Sequence, residues 1–215
     1  MIKADLHIHT AYSMDSIMSP EQIIERCLEV GINCLSVADH NAIEGAMKLK
    51  EMAPFPIIVS EEILTSDGEI IGMFLKQEIP KKLSAEETVA QIKAQGGLVC
   101  IPHPCDRLRF SVFREQVFED IMLEVDIIEV FNARSFVPGS SARAWELARK
   151  YGKLASAGSD AHTPSEIGNV CVEMPEFNDK DEFLASLAQG KISGSKSSPT
   201  VHFANTWARL KKRLP

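Results

Sequence analysis

Short apolar runs alternate with amphipathic stretches along the whole chain, and that alternation predicts repeated strand–helix units. Residues 2–7 read as a strand. Ser19-Pro20-Glu21-Gln22 then opens a helix, with Ser19 as N-cap, Pro20 at the first helical position and Gly31 closing it. Ile32–Val37 is the next strand, followed by a helix from about Ala42 to Met52 and a third strand over Pro56–Val59. Asp67-Gly68 reads as a hairpin turn into Ile70–Leu75. A capping box of Ser84 and Glu87 starts another helix, which Gly96-Gly97 stops. Leu98–Ile101 (strand), Val112–Leu123 (helix), Asp126–Phe131 (strand), Ser140–Tyr151 (helix) and Leu154–Ala157 (strand) continue the pattern. Val170–Met174, a helix over Lys180–Gln189 and an apolar-basic tail finish it.

Such units predict an α/β fold with a parallel sheet under helices. With no Gly-rich phosphate loop, a closed or nearly closed barrel is favoured over an open, doubly wound sheet. No linker or repeat interrupts the pattern, so residues 1–215 are expected to form one domain.

Composition narrows the picture modestly. The 215 residues are 45% apolar and 25% charged, ordinary values for a globular chain. The net charge of −7 speaks against stable nucleic-acid binding, which wants a basic face. Cys27, Cys34, Cys100, Cys105 and Cys171 form no CxxC pair and read as reduced thiols of a cytoplasmic protein. No run approaches ~18 apolar residues, and the N-terminus lacks an apolar signal segment, so neither a membrane span nor a secretory leader is expected.

The histidines change the picture most. Five of the six fall at or just after predicted strands: His7, His9, His40, His103 and His162. Asp39, Glu61, Glu62 and Asp160 lie in the same places. In a (β/α) barrel the C-terminal strand ends converge on one face. Side chains at i and i+2 of a strand share a side, so His7-x-His9 and Asp160-x-His162 each offer two ligands to one centre. Imidazole with carboxylate suits Zn²⁺, Mn²⁺ or Fe²⁺. His202 has no acidic neighbour and is read as an ordinary tail residue.

Asp5-Leu6-His7-Ile8-His9-Thr10, Ala38-Asp39-His40-Asn41, Glu62, Pro102-His103-Pro104 and Gly158-Ser159-Asp160-Ala161-His162 stand in the order found in the PHP (polymerase and histidinol phosphatase) superfamily. The chain resembles a stand-alone, metal-dependent phosphoesterase of that kind. The resemblance implies a distorted seven-stranded (β/α) barrel with two or three divalent ions. By motif position, His7, His9, Glu62 and Asp160 would hold the first ion. Glu62 would bridge to a second held also by His103, and Asp15, His40 and His162 would hold a third. Glu62, Asp160 and His162 would also be the catalytic groups. Motif alignment favours Glu62 over Glu61, although Ser60 stands where relatives commonly have Gly. Several relatives have a second histidine after the fifth strand; here Ile128–Arg134 contains none, leaving Asn132, Glu129 or a weakly held ion.

The activity so implied is hydrolysis of a small phosphorylated metabolite or nucleotide. Metal binding lowers the pKa of water from 15.7 toward ~7, making hydroxide available at neutral pH. Arginine binds phosphate bidentately. Arg107 and Arg134, with Asn132, are the expected substrate contacts, whereas Arg109 and Arg114 read as solvated. Asp39 and Glu129 are expected behind the ligands, accepting their outer N–H groups. The Arg209–Arg213 cluster beside Trp207 reads as a solvated helix end. Hydrolysis of carbon–nitrogen or carbon–oxygen bonds, and a non-catalytic metal-binding module, are the alternatives.

Overall fold

The computed structural model describes residues 1–109 and 113–198, together with Val201 and Lys212. Seven strands, β1 (Ile2–Ile8), β2 (Cys34–His40), β3 (Ile57–Leu64), β4 (Glu69–Met73), β5 (Leu98–Ile101), β6 (Ile127–Asn132) and β7 (Leu154–Gly158), lie side by side in chain order. Between them run α1 (Pro20–Val30), α2 (Glu44–Met52), α3 (Ala85–Ala94), α4 (Glu115–Ile121) and α5 (Ser140–Tyr151). After β7 come β8 (Val170–Met174), α6 (Lys180–Leu187) and β9 (Lys191–Gly194). The last two strands extend the sheet beyond β1, giving nine strands where the resemblance implies seven.

The sheet is mixed, not parallel throughout. β1–β2, β2–β3, β5–β6 and β6–β7 are parallel, whereas β3–β4, β4–β5, β1–β8 and β8–β9 are antiparallel. Around β4 the cause is the predicted hairpin: the Thr65–Gly68 turn joins β3 to β4 with no crossover helix, and only antiparallel strands can be joined so tightly. β9, flanked by Gly190 and Gly194 and mostly exposed, carries too little apolar signal to be predicted.

One edge of β1 is shared. Its first half pairs with β8, and its last residues meet the chain beyond β7. There Asp160 N donates to His7 O at 2.7 Å and His9 N to Ala161 O at 2.9 Å. These bonds nearly close the barrel, and Gly158 permits them: a Cβ there would lie 2.3 Å from His7 Cβ.

Two apolar cores result. One fills the space between the sheet and α1–α5, with Leu35, Val37, Val59, Ile63, Leu49 and Ile92. The other lies inside the barrel, with Ala4, Leu6, Cys34, Ala38, Ile58 and Ile127, and Phe183 of α6 packs onto it. The two cores fix which way each strand's polar side chains face.

Candidate metal centre

Alternation on β3 settles the choice between adjacent glutamates. Ile58 faces the inner core while Val59 and Ile63 face the helices, so Glu62 points inward and Glu61 outward. Both lie within β3 rather than after it, as Asp39 and His40 lie within β2. On β2, Ala38 packs in the inner core and Val37 in the outer. His40 therefore faces inward and Asp39 outward.

Strict alternation would give the opposite answer on β1, because Ala4 and Leu6 occupy the inner core. The β1–β2 register slips by one residue between Asp5 and Ile8, a bulge. Ile8 thereby joins the outer core, and His7 and His9 turn inward. Asp160 and His103 sit at the other strand ends with φ of 55° and 30°, left-handed conformations that aim them at the same point.

The convergence is close. His7 Nε2 and His9 Nε2 are 3.1 Å apart, and Glu62 Oε2 lies 3.6 Å from His7, 3.5 Å from His9 and 3.1 Å from His40 Nδ1. His103 Nε2 is 3.0 Å from Glu62 Oε1, and His9 Nε2 is 3.2 Å from Asp160 Oδ1. Asp15, on the loop after β1, lies 3.3 Å from His162 Nε2 and 3.6 Å from His40 Nε2. All eight residues predicted as ligands therefore come together, and all but His40 are buried.

Hydrogen bonds behind the ligands fix which nitrogens carry protons. His7 Nδ1 donates to Glu129 Oε1 at 3.0 Å. His9 Nδ1 meets Ser13 Oγ at 3.1 Å; that hydroxyl gives its proton to Asp39 Oδ1 and accepts the His40 N–H, so His9 must be the donor. In the neutral rings both Nε2 atoms are then bare lone pairs facing each other. Two lone pairs at that distance repel unless a proton or a divalent cation sits between them. The spacing also matches the ~3.3 Å between ligands on a tetrahedral ion with Zn–N bonds of ~2.0–2.1 Å. Glu62 Oε2 and Asp160 Oδ1 are buried oxygens with no hydrogen-bond donor of suitable geometry, also aimed into this space. The residues fit divalent cations.

The electrostatics are those of a compressed ion cluster. Burial pushes His7 down, but Glu129, Asp160 and Glu62 together outweigh it and hold the ring well above the ordinary histidine value. Burial and the neighbouring His162 and His40 depress His9 to about 3. Burial opposes ionisation of Glu62, yet His40 and His7 keep it well below the usual carboxylate range. Asp160 behaves likewise, with Arg109 the leading charge.

Several expected roles are redrawn. Asp39 reaches His9 only through Ser13, and also accepts Thr10 N and Oγ1 at 2.6 Å. Glu129 is a hub, accepting from His7, from His103 N at 2.8 Å and from Asn132 Nδ2 at 3.0 Å. Asn132 also donates to Asp160 and accepts Arg134 N, so both Asn132 and Glu129 are engaged in hydrogen bonds around the ligands. Arg134 is buried behind His162, hydrogen-bonded to its Nδ1 at 2.7 Å and ion-paired with Glu166 at 3.0 Å, not at the opening. Arg107 is exposed on an outer groove with Phe113, Phe118 and Arg143. Arg109, expected in solvent, instead bonds Asp160. Arg114 is exposed and pairs with Asp67, as a surface residue should.

Glu69 was missed as well; it lies 3.8 Å from His103 Nε2 and groups with His40 and Glu62. Its signal was the hairpin, which folds the start of β4 back beside the end of β3. Ser13 and Glu166 also escaped notice, although Thr163-Pro164-Ser165-Glu166 has the spacing of a capping box. His202 and the basic cluster lie outside the described residues except Lys212, whose ammonium donates to the carbonyls of Ala11 and Ser13 beside the Asp15 loop. All five cysteines are free, and no described helix is long and apolar enough to cross a membrane.

The chain matches two family models, the PHP domain over residues 5–75 and the PHP-associated domain over 138–192. It is 39% identical over 145 residues to the uncharacterized protein MJ1587 of Methanocaldococcus jannaschii, covering 61% of this chain and 82% of that one. The fold superposes with TM-score 0.73 and 15% identity on a two-domain protein of Bacteroides vulgatus described as containing a predicted PHP-like metal-dependent phosphoesterase, over 90% of this chain and 65% of that one. A Chromobacterium violaceum structure described as an amidohydrolase with bound sulfate superposes with TM-score 0.63 and 18% identity, over 76% and 88% of the two chains. Motif order, inward-facing ligands and these matches agree: the chain belongs to the PHP family.

Proposed function

We propose that this protein is a metal-dependent phosphoesterase acting on a small phosphorylated metabolite or nucleotide in the cytoplasm. The observation that carries the reading is the cation at the opening of the cluster. His40, Glu69 and Arg109 are its most accessible members, with side chains 23%, 15% and 24% exposed. Among the described residues Arg109 is thus a guanidinium able to meet an incoming phosphoryl group, exchanging its bond to Asp160 for bidentate contact with phosphate oxygens.

When bound, divalent ions supply hydroxide from water at neutral pH and offset phosphoryl charge. The chain's own groups prepare that chemistry. Glu62 turns one oxygen to His103 and the other to His7, His9 and His40, which suits it to bridge two ions. Glu129 and the Ser13–Asp39 pair hold His7 and His9 with their Nε2 lone pairs inward. Arg134 and Glu166 hold His162 in place. Burial of nearly the whole cluster strengthens each of these interactions and limits stray water. The sulfate in the Chromobacterium structure, a tetrahedral dianion, supports an anionic substrate; that structure's description as an amidohydrolase favours carbon–nitrogen hydrolysis as the second reading.

Phosphate release from a panel of phosphomonoesters and nucleotides, with protein loaded with Zn²⁺, Mn²⁺ or Fe²⁺, tests the proposal. Turnover of at least one is expected. Release from none, with hydrolysis of uncharged amides or esters, would select the second reading.

A further inference from the structure

We propose that Glu69 is a metal ligand, completing with His103 and Glu62 an ion position on the open side of the cluster. The inference rests on the metal-dependent reading above and assigns a residue which that reading leaves out. Catalytic metal positions take about three protein ligands and keep one site for water or substrate. On the His7 side that number is reached by His7, His9 and Asp160, with Glu62 between. On the His103 side only His103 Nε2 and Glu62 Oε1, 3.0 Å apart, are supplied by the expected residues.

The other polar residues nearby turn their oxygens to donors behind or outside the cluster. Both oxygens of Glu129 accept hydrogen bonds, one from His7 and the other from His103 N and Asn132. The Asn132 side chain is bonded to Glu129, Asp160 and Arg134 N. Glu61 faces the helices and accepts Ile79 N at 2.9 Å. Glu69 reaches within 3.8 Å of His103 Nε2, and its carboxylate lies within 4.8 Å of ligand atoms of both His40 and Glu62. The tight β3–β4 hairpin, pairing Leu64 with Glu69, is what delivers the carboxylate there.

A chemical consequence follows. Two carboxylates and one imidazole make a harder donor set than the imidazole pair opposite, so this position shifts toward Mn²⁺ or Fe²⁺ relative to the other.

The test is metal binding by the full chain, stripped with chelator and reloaded with Zn²⁺ or Mn²⁺, read by ion counting and competition with a chromophoric chelator. Glu69→Gln is expected to lose one bound ion, or weaken one by more than the ~100-fold that bounds outer-sphere changes, with the others unmoved. Glu69→His should keep the count and move that position's Zn²⁺-over-Mn²⁺ preference up about tenfold; it also serves if Glu69→Gln fails to fold by circular dichroism. Glu61→Gln, facing away, should change no ion. Full occupancy in Glu69→Gln with every affinity within ~100-fold of the parent would overturn the assignment while leaving the metal reading intact. A parent protein that binds no ion would overturn both.

Discussion

Replacing Glu129 by Gln removes one acceptor from a hub that serves three donors. His7 Nδ1, His103 N and Asn132 Nδ2 lie 3.0, 2.8 and 3.0 Å from its two oxygens. Glutamine keeps a single oxygen. If that oxygen serves His103 and Asn132, the new amide N–H faces His7 Nδ1, which must then accept. The His7 proton moves to Nε2, and the lone pair aimed at the cluster is lost. If the oxygen serves His7 instead, two donors confront the amide, and each unsatisfied buried group costs about 1–3 kcal/mol. The first arrangement is the cheaper, so the effect should appear in metal affinity. Disrupting a partner behind a ligand typically costs ~10–100-fold, equal to about 1.4–2.8 kcal/mol. Chelator competition with Zn²⁺ measures it, and ¹⁵N spectra of the His7 ring report the tautomer. An affinity within twofold of the parent, with His7 Nε2 still unprotonated, would refute the reasoning.

Three further outcomes are expected. A Cβ at position 45 would lie 2.1 Å from Asp39 Oδ2 and 2.2 Å from Thr10 Oγ1, so Gly45→Ala should displace Asp39, loosen Ser13 and His9, and lower both metal affinity and melting temperature. Burial raises Glu61 to about 8, so the folded protein holds a proton there that the unfolded chain releases near pH ~4.5; stability is lost as pH rises through that window. Glu61→Gln, which keeps an acceptor for Ile79 N, should therefore exceed the parent by more than about 1 kcal/mol at pH 8 in chemical denaturation, and by less at pH 4. Arg109→Ala should raise KM for phosphorylated substrates at least tenfold, whereas Arg107→Ala should change it little; equal effects would remove Arg109 from its assigned place.

The residues that carry the chemistry were legible because metal ligation needs a few residue types at strand ends, and five histidines there leave a clear signal. Their direction was less so. The β1 bulge that turns His7 and His9 inward leaves no mark in the hydrophobic pattern, and simple alternation points them the wrong way. The mixed sheet was half visible: Asp67-Gly68 announced a hairpin, but the regular spacing of strands and helices suggested a parallel sheet nonetheless. Arg107 and Arg109 could not be told apart by spacing. They sit two residues apart on an irregular loop, where no periodicity assigns faces; one projects onto the outer groove, the other reaches Asp160. Glu69 was hidden because its place depends on register across the hairpin, a tertiary fact.

The central claim is that these dispersed side chains hold divalent ions in one cluster. A crystal structure of Mn²⁺- or Zn²⁺-loaded protein, measured at the metal absorption edge, tests it most directly. At least two anomalous peaks are predicted, one within ~2.0–2.2 Å of His7 Nε2 and His9 Nε2 and another beside His103 Nε2, with Glu62 between them. Metal-soaked crystals without a peak inside that ring of histidines would contradict the account.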